Sequence, residues 1–103
     1  MNRTQWFEQL RLTNAQIATR LAAEQFDALH QLAEQQQQVI EAIFNSEDSA
    51  FSVSENAALH ATLALNEAVA ATMETEKTRL FHHQLDIKKA NQAGLHYQQT
   101  EQL

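Results

Sequence analysis

The stretch NSEDSAFSVS, Asn45–Ser54, is where the chain most clearly changes direction, and the fold is read outward from it. Asn, Ser and Asp side chains hydrogen-bond to nearby backbone in non-helical conformations, so a cluster of them favours turns and caps. The loop is placed at 45–53. Ser52 or Ser54 is positioned to cap the next helix, and Ser52-Val53-Ser54-Glu55 carries Ser and Glu at the spacing of a capping box. Phe51 and Val53, the apolar members, are expected to tuck the loop against the rest of the protein.

Upstream, residues about 26–44 read as a helix. Phe26, Leu29, Leu32, Ala33, Gln36, Ile40, Ile43 and Phe44 recur at helical spacing, with Val39 alongside. The run Gln35–Gln38 lies inside this period and reads as a solvated helix face, not as an aggregating low-complexity tract. A first helix is expected over about 4–23. Phe7, Leu10, Ile17 and Leu21 fall near one face with Trp6 and Ala18 beside them, and Asn14 interrupts the stripe. Thr4 is the expected N-cap, without a capping box because Phe7 stands three residues on. Between these helices, Glu24-Gln25-Phe26-Asp27 holds neither Gly nor Pro, and Asp27 is its only good cap. A continuous helix through this point is the alternative; a change of phase in the apolar stripe favours a short turn.

Downstream, a third and much longer helix is expected over about 54–97. Leu59, Leu63, Asn66, Ala70, Met73, Lys77, Leu80, Gln84, Ile87 and Asn91 alternate spacings of four and three, a heptad with several polar seam positions. Leu65, Val69, Phe81, Leu85 and Lys88 form a second stripe beside it. Ala57, Ala58, Ala61 and Ala64 are expected to permit close helix approach. The expected fold is all-α: an antiparallel three-helix bundle with a long C-terminal helix, in a single domain spanning 1–103. At about 1.5 Å per residue the first two helices reach roughly 28 Å and the third roughly 66 Å. Leu80, Phe81, Leu85, Ile87, Leu95 and Tyr97 are therefore expected to lack intramolecular cover, which marks a surface for a partner.

Composition agrees with this class. The 103 residues contain no proline, no cysteine and a single glycine, Gly94. Tight turns and phosphate-binding loops call for glycine or proline, whereas Ala, Gln, Leu and Glu are good helix formers. Absence of cysteine removes disulfides, thiolate metal sites and cysteine nucleophiles. A formal charge of −6 argues against nucleic-acid binding, which calls for a basic face. The first residues do not read as a signal peptide and no run is long enough to span a membrane, so a cytosolic protein is expected. The 44% hydrophobic content leans on Ala. A lone chain is thus expected to be marginally stable, with self-association or a partner supplying further burial.

No constellation points to catalysis. His82 and Asp86 stand at i, i+4 and can share a ligand, but no second histidine pair completes a zinc site. His30, His60 and His96 are isolated. Glu74 and Glu76 lie two apart and do not share a helix face. No nucleophile elbow or glycine-rich turn is present. Neither enzymatic activity nor a cofactor is expected. The first fifty residues hold three of the seven basic and seven of the thirteen acidic groups, a mild asymmetry that matters because Lys88 and Lys89 adjoin the uncovered stripe.

Phe26-Asp27-Ala28-Leu29, followed by Leu32, Glu34, Gln36, Ile40 and Ile43, resembles the opening and Leu-rich second helix of the FliT family of flagellar type III export chaperones. Leu63-Ala64-Leu65-Asn66-Glu67 resembles the start of that family's next helix. Leu85-Asp86-Ile87-Lys88-Lys89-Ala90-Asn91, closing on Tyr97, looks like its lysine-containing segment ending in tyrosine. The chain departs from the pattern within Gln35–Gln38, where the family often has a basic residue. The resemblance implies a cytosolic chaperone that binds the helical end of a filament-cap-type client and prevents premature assembly. It implies that Leu80, Phe81, Ile87 and Lys88 take the client and that Tyr97 contacts an export-gate component. Without its client, the protein is expected to be a homodimer. Rival expectations are a homodimeric coiled-coil structural module and an adaptor that binds a transcriptional regulator.

Overall fold

The computed structural model describes the backbone of residues 1–46 and 50–101, and the side-chain surroundings of residues 1–46 and 50–90. Three helices pack together as an all-α structure: α1 (Arg3–Ala22), α2 (Leu29–Ser46) and the long α3 (Val53–Glu101). A short 3-10 turn, Phe26–Ala28, precedes α2. The chain forms two units, Met1–Val69 and Ala70–Leu103. The first contains α1, α2 and the opening of α3.

Each helix begins and ends for a local reason. The cap of α1 is Asn2, not Thr4. The Asn2 side chain accepts from the Gln5 backbone N–H at 2.8 Å, and the Gln5 side-chain oxygen accepts from the Asn2 backbone N–H at 2.8 Å. A full capping box is therefore present, built from amides instead of the usual hydroxyl and carboxylate. α1 ends where Gln25 N–H reaches the Arg20 carbonyl at 2.9 Å and Glu24 N–H reaches that of Leu21 at 3.1 Å. This is the Schellman pattern, and it puts Glu24 at φ 57°, a conformation in which glycine is the usual residue. Helices α1 and α2 are thus not continuous. Asp27 is no cap either, because it lies inside the 3-10 turn. α3 is capped by Ser52: its Oγ accepts from Glu55 N–H at 3.1 Å while the Glu55 carboxylate accepts from Ser52 N–H at 2.9 Å.

The interior of the first unit is small. Leu10, Val39 and Ile43 form its buried centre, with Trp6, Phe7, Ile40, Phe51 and Leu59 packed around them. Ile17 and Leu29 are buried as well. Phe51 meets the edges of Phe7 (ring centroids 6.0 Å apart) and Phe44 (5.5 Å), so that ring pins the loop against α1 and α2. Val53, expected to help, is 89% exposed, because it opens α3 on the face turned away from the core. Of the alanines expected at a close helix approach, only Ala58 is partly covered; Ala57, Ala61 and Ala64 are exposed.

Two polar links set the register. Gln36 donates to the Asn14 side-chain oxygen at 2.8 Å, and the Asn14 amide donates to Thr62 Oγ1 at 2.8 Å. Thr62 in turn donates to the Ala58 carbonyl at 2.8 Å. Gln36 is only 4% exposed, so the glutamine run is not uniformly a solvated face: one member turns inward because Asn14 offers it a partner. These pairings run α1 antiparallel to α2 and parallel to the start of α3. At the end of the unit, Arg3 grips Glu55 with two hydrogen bonds of 2.9 Å and donates to the Ala50 carbonyl at 3.1 Å. Its guanidinium also lies 4.8 Å from the centre of the Phe51 ring. The Arg3 hydrogen bonds and the Ser52 N–H hold the Glu55 carboxyl down to about 2.

These contacts can be tested one by one. Asn14→Leu or Gln36→Leu alone strands a buried amide and should cost about 1–3 kcal/mol. The double variant should cost less than the sum, read from urea midpoints in a double-mutant cycle; strict additivity contradicts the link. Glu24→Gly relieves the left-handed residue and should stabilise by about 0.5–1 kcal/mol, whereas Glu24→Ala should not. Because the Glu55 carboxyl titrates lower when folded, its contribution is complete above the ordinary value of 4.5 and is lost as pH falls toward about 2. Denaturation measured across that window should show a shallower decline in Glu55→Gln than in the native chain.

Candidate helix-docking surface

The second unit, from Ala70 onward, is part of α3 and has backbone hydrogen bonds satisfied within the helix. Its surface is therefore decided by which side chains recur on one face. Met73, Leu80 and Ile87 stand seven residues apart and are 37%, 49% and 48% exposed. Phe81, beside Leu80, is 57% exposed. The repeat covers roughly 21 Å of helix at about 1.5 Å per residue. Single exposed apolar residues are ordinary, but three at heptad spacing with an aromatic next to the middle one make a ridge, interrupted in the seam by Lys77 and Gln84.

Polar groups around the ridge are arranged so as not to compete with it. The Thr75 and Thr78 hydroxyls donate back to the Ala71 and Glu74 carbonyls at 3.0 Å each, so both side chains satisfy their polar atoms within the helix. Arg79 pairs with Glu76, and its hydrogen bond holds the Glu76 carboxyl below the ordinary carboxylate range. Lys77, Lys88 and Lys89 are exposed. Toward its start the ridge is thus flanked by Glu74 on one side and Glu76 on the other, and toward its end by Lys88 on the Glu74 side, with Lys89 next to it.

Of the residues singled out from sequence, Leu80, Phe81, Ile87 and Lys88 fall together on this segment and are exposed, while Leu85 is partly covered. Tyr97 and Leu95 lie outside the residues whose side chains are described. Met73 joins the group through its exposure; its seven-residue distance to Leu80 and Ile87 is the signal in the sequence. The first unit also exposes Leu12, Phe44 and Leu63, without an equivalent repeat.

His82, His83 and Asp86 line a shallow depression with Arg79 and Leu80. The His82 ring meets the Phe81 ring with centroids 6.1 Å apart. Among the described residues no group of three His, Cys, Asp or Glu side chains is placed to hold a metal ion. Among the same residues no helix is long and apolar enough to cross a membrane. Comparison with family models, curated proteins and solved structures finds no match to this chain.

Proposed function

We propose that this chain is a protein-binding helical module that acts in the cytosol by receiving an amphipathic helix of another protein along Met73, Leu80, Phe81 and Ile87. The observation that carries this reading is the exposed seven-residue repeat, with 49% of Leu80 and 48% of Ile87 open to water. A client helix with apolar residues at i, i+3 or i+4, and i+7 would remove that surface from water, and area so buried is the main source of affinity in helix recognition. Lys88 and Lys89 at one end favour acidic residues in the client there, and Glu74 and Glu76 favour basic ones at the other.

The finer reading is an export chaperone of the flagellar type, holding the helical end of a filament-cap-type client until it is handed on. What supports it is the resemblance of Phe26-Asp27-Ala28-Leu29 and of Leu85 through Asn91 to the FliT pattern, together with the position of the ridge. Leu80, Phe81, Ile87 and Lys88 are the client contacts in this reading, and Tyr97 the contact to an export-gate component. No side chain is assigned a catalytic role.

The test is direct. A labelled peptide spanning the carboxyl-terminal helix of a filament-cap protein should bind the full chain, measured by fluorescence anisotropy. Ile87→Asp puts a charge on one of the three ridge positions and should weaken binding roughly 30-fold or more, the effect of losing an anchor of about 2 kcal/mol. Far-UV circular dichroism should be unchanged, since Ile87 is an exposed side chain on a helix whose backbone hydrogen bonds are its own. Undiminished binding by this variant would contradict the surface.

A further inference from the structure

The ridge that would receive a client is also shaped for a second copy of itself, and its charges select the direction of approach. In heptad terms Met73, Leu80 and Ile87 occupy d positions, with Lys77 and Gln84 at a. Glu74, Phe81 and Lys88 occupy e, and Glu76, His83 and Ala90 occupy g. All but Glu76 are exposed. Among the described residues, neither Glu74 nor Lys88 takes part in an ion pair.

A parallel, in-register pair would set Lys77 against Lys77 inside the seam, placing like charges together. In an antiparallel pair, a layers face d layers and e flanks meet e flanks. Leu80 then packs beside the second copy's Gln84, and the Lys77 stem lies along the second copy's Ile87 with its ammonium turned to water. On the flank, Phe81 meets Phe81 across the two-fold axis. Glu74 meets the second copy's Lys88, and the symmetry makes this ion pair twice. Slipping one heptad in either direction sets Glu74 or Lys88 against Phe81 and loses both Glu74–Lys88 pairs. Among these antiparallel registers, one alone sets Phe81 on Phe81 and Glu74 on Lys88.

We propose that, when no client is bound, the segment from Met73 to Lys88 pairs antiparallel with the same segment of a second copy, in the register set by Glu74–Lys88 and Phe81–Phe81. This rests on the reading of the ridge as a helix-binding surface and adds its regulation: the same side chains are covered in both states, so self-pairing and client binding exclude one another.

Sedimentation of the full chain from low-micromolar to sub-millimolar concentration should show a reversible dimer. Glu74→Lys or Lys88→Glu alone should raise its dissociation constant roughly tenfold, as two pairs turn repulsive. The double reversal Glu74→Lys/Lys88→Glu should restore it. Orientation is read separately, since the native chain has no cysteine. Leu80→Cys chains should cross-link to Gln84→Cys chains on oxidation and not to themselves. A monomer at every concentration, additive charge reversals, or Leu80→Cys self-linking each overturns the proposal. A monomer that still binds the filament-cap peptide through Ile87 removes self-pairing and leaves the client reading in place. A dimer of the stated register that is unmoved by the peptide does the reverse.

Discussion

The Asn14 carboxamide accepts from Gln36 with its oxygen and donates to Thr62 with its nitrogen, and three helices meet in that one group. Burying an amide is unfavourable unless its donors and acceptors find partners, so the register that satisfies all three side chains is singled out from neighbouring ones. A shift of either partner helix by one residue would carry Gln36 or Thr62 out of reach. The apolar interior alone would tolerate such shifts, because Leu, Val and Ile side chains attract without direction. Geometry in the first unit is therefore set by a polar chain and volume is filled by the aliphatic groups around it.

Much of this was open to sequence reading. The end of α2 at Ser46 and the Ser52–Glu55 capping box of α3 arise from local chemistry, which acts over three or four residues and leaves a direct imprint. Helical periodicity placed Leu10, Ile17, Leu29 and Ile43 on inward faces for the same reason. The partnership of Asn14 and Gln36 was harder, because each looked like a flaw in its own stripe and nothing local says that two flaws lie side by side. Asn2 and Gln5 escaped because an all-amide capping box lacks the hydroxyl and carboxylate by which such boxes are recognised. Glu24 was hidden more deeply: a left-handed residue that is not glycine carries no mark in the sequence.

The candidate surface divides in the same manner. Leu80, Phe81 and Ile87 could be marked as uncovered from lengths alone, since a helix much longer than its companions leaves some of its apolar positions without partners. Met73 was visible in the heptad yet lacked a reason to be singled out until its exposure was known. The meaning of Glu74 and Lys88 appears only when the helix is set against its own reverse. One chain read alone does not display that relation, because it belongs to a pair.

The thinness of the interior reaches beyond mechanics. So few aliphatic side chains are withdrawn from water in the first unit that its unfolding releases little ordered hydration, and the heat-capacity increment is correspondingly slight. Enthalpy and entropy of unfolding then vary little with temperature, and the stability curve is flat where that of a larger-cored domain is a steep dome. A unit of this kind is expected to melt broadly and to lose stability only gently on chilling.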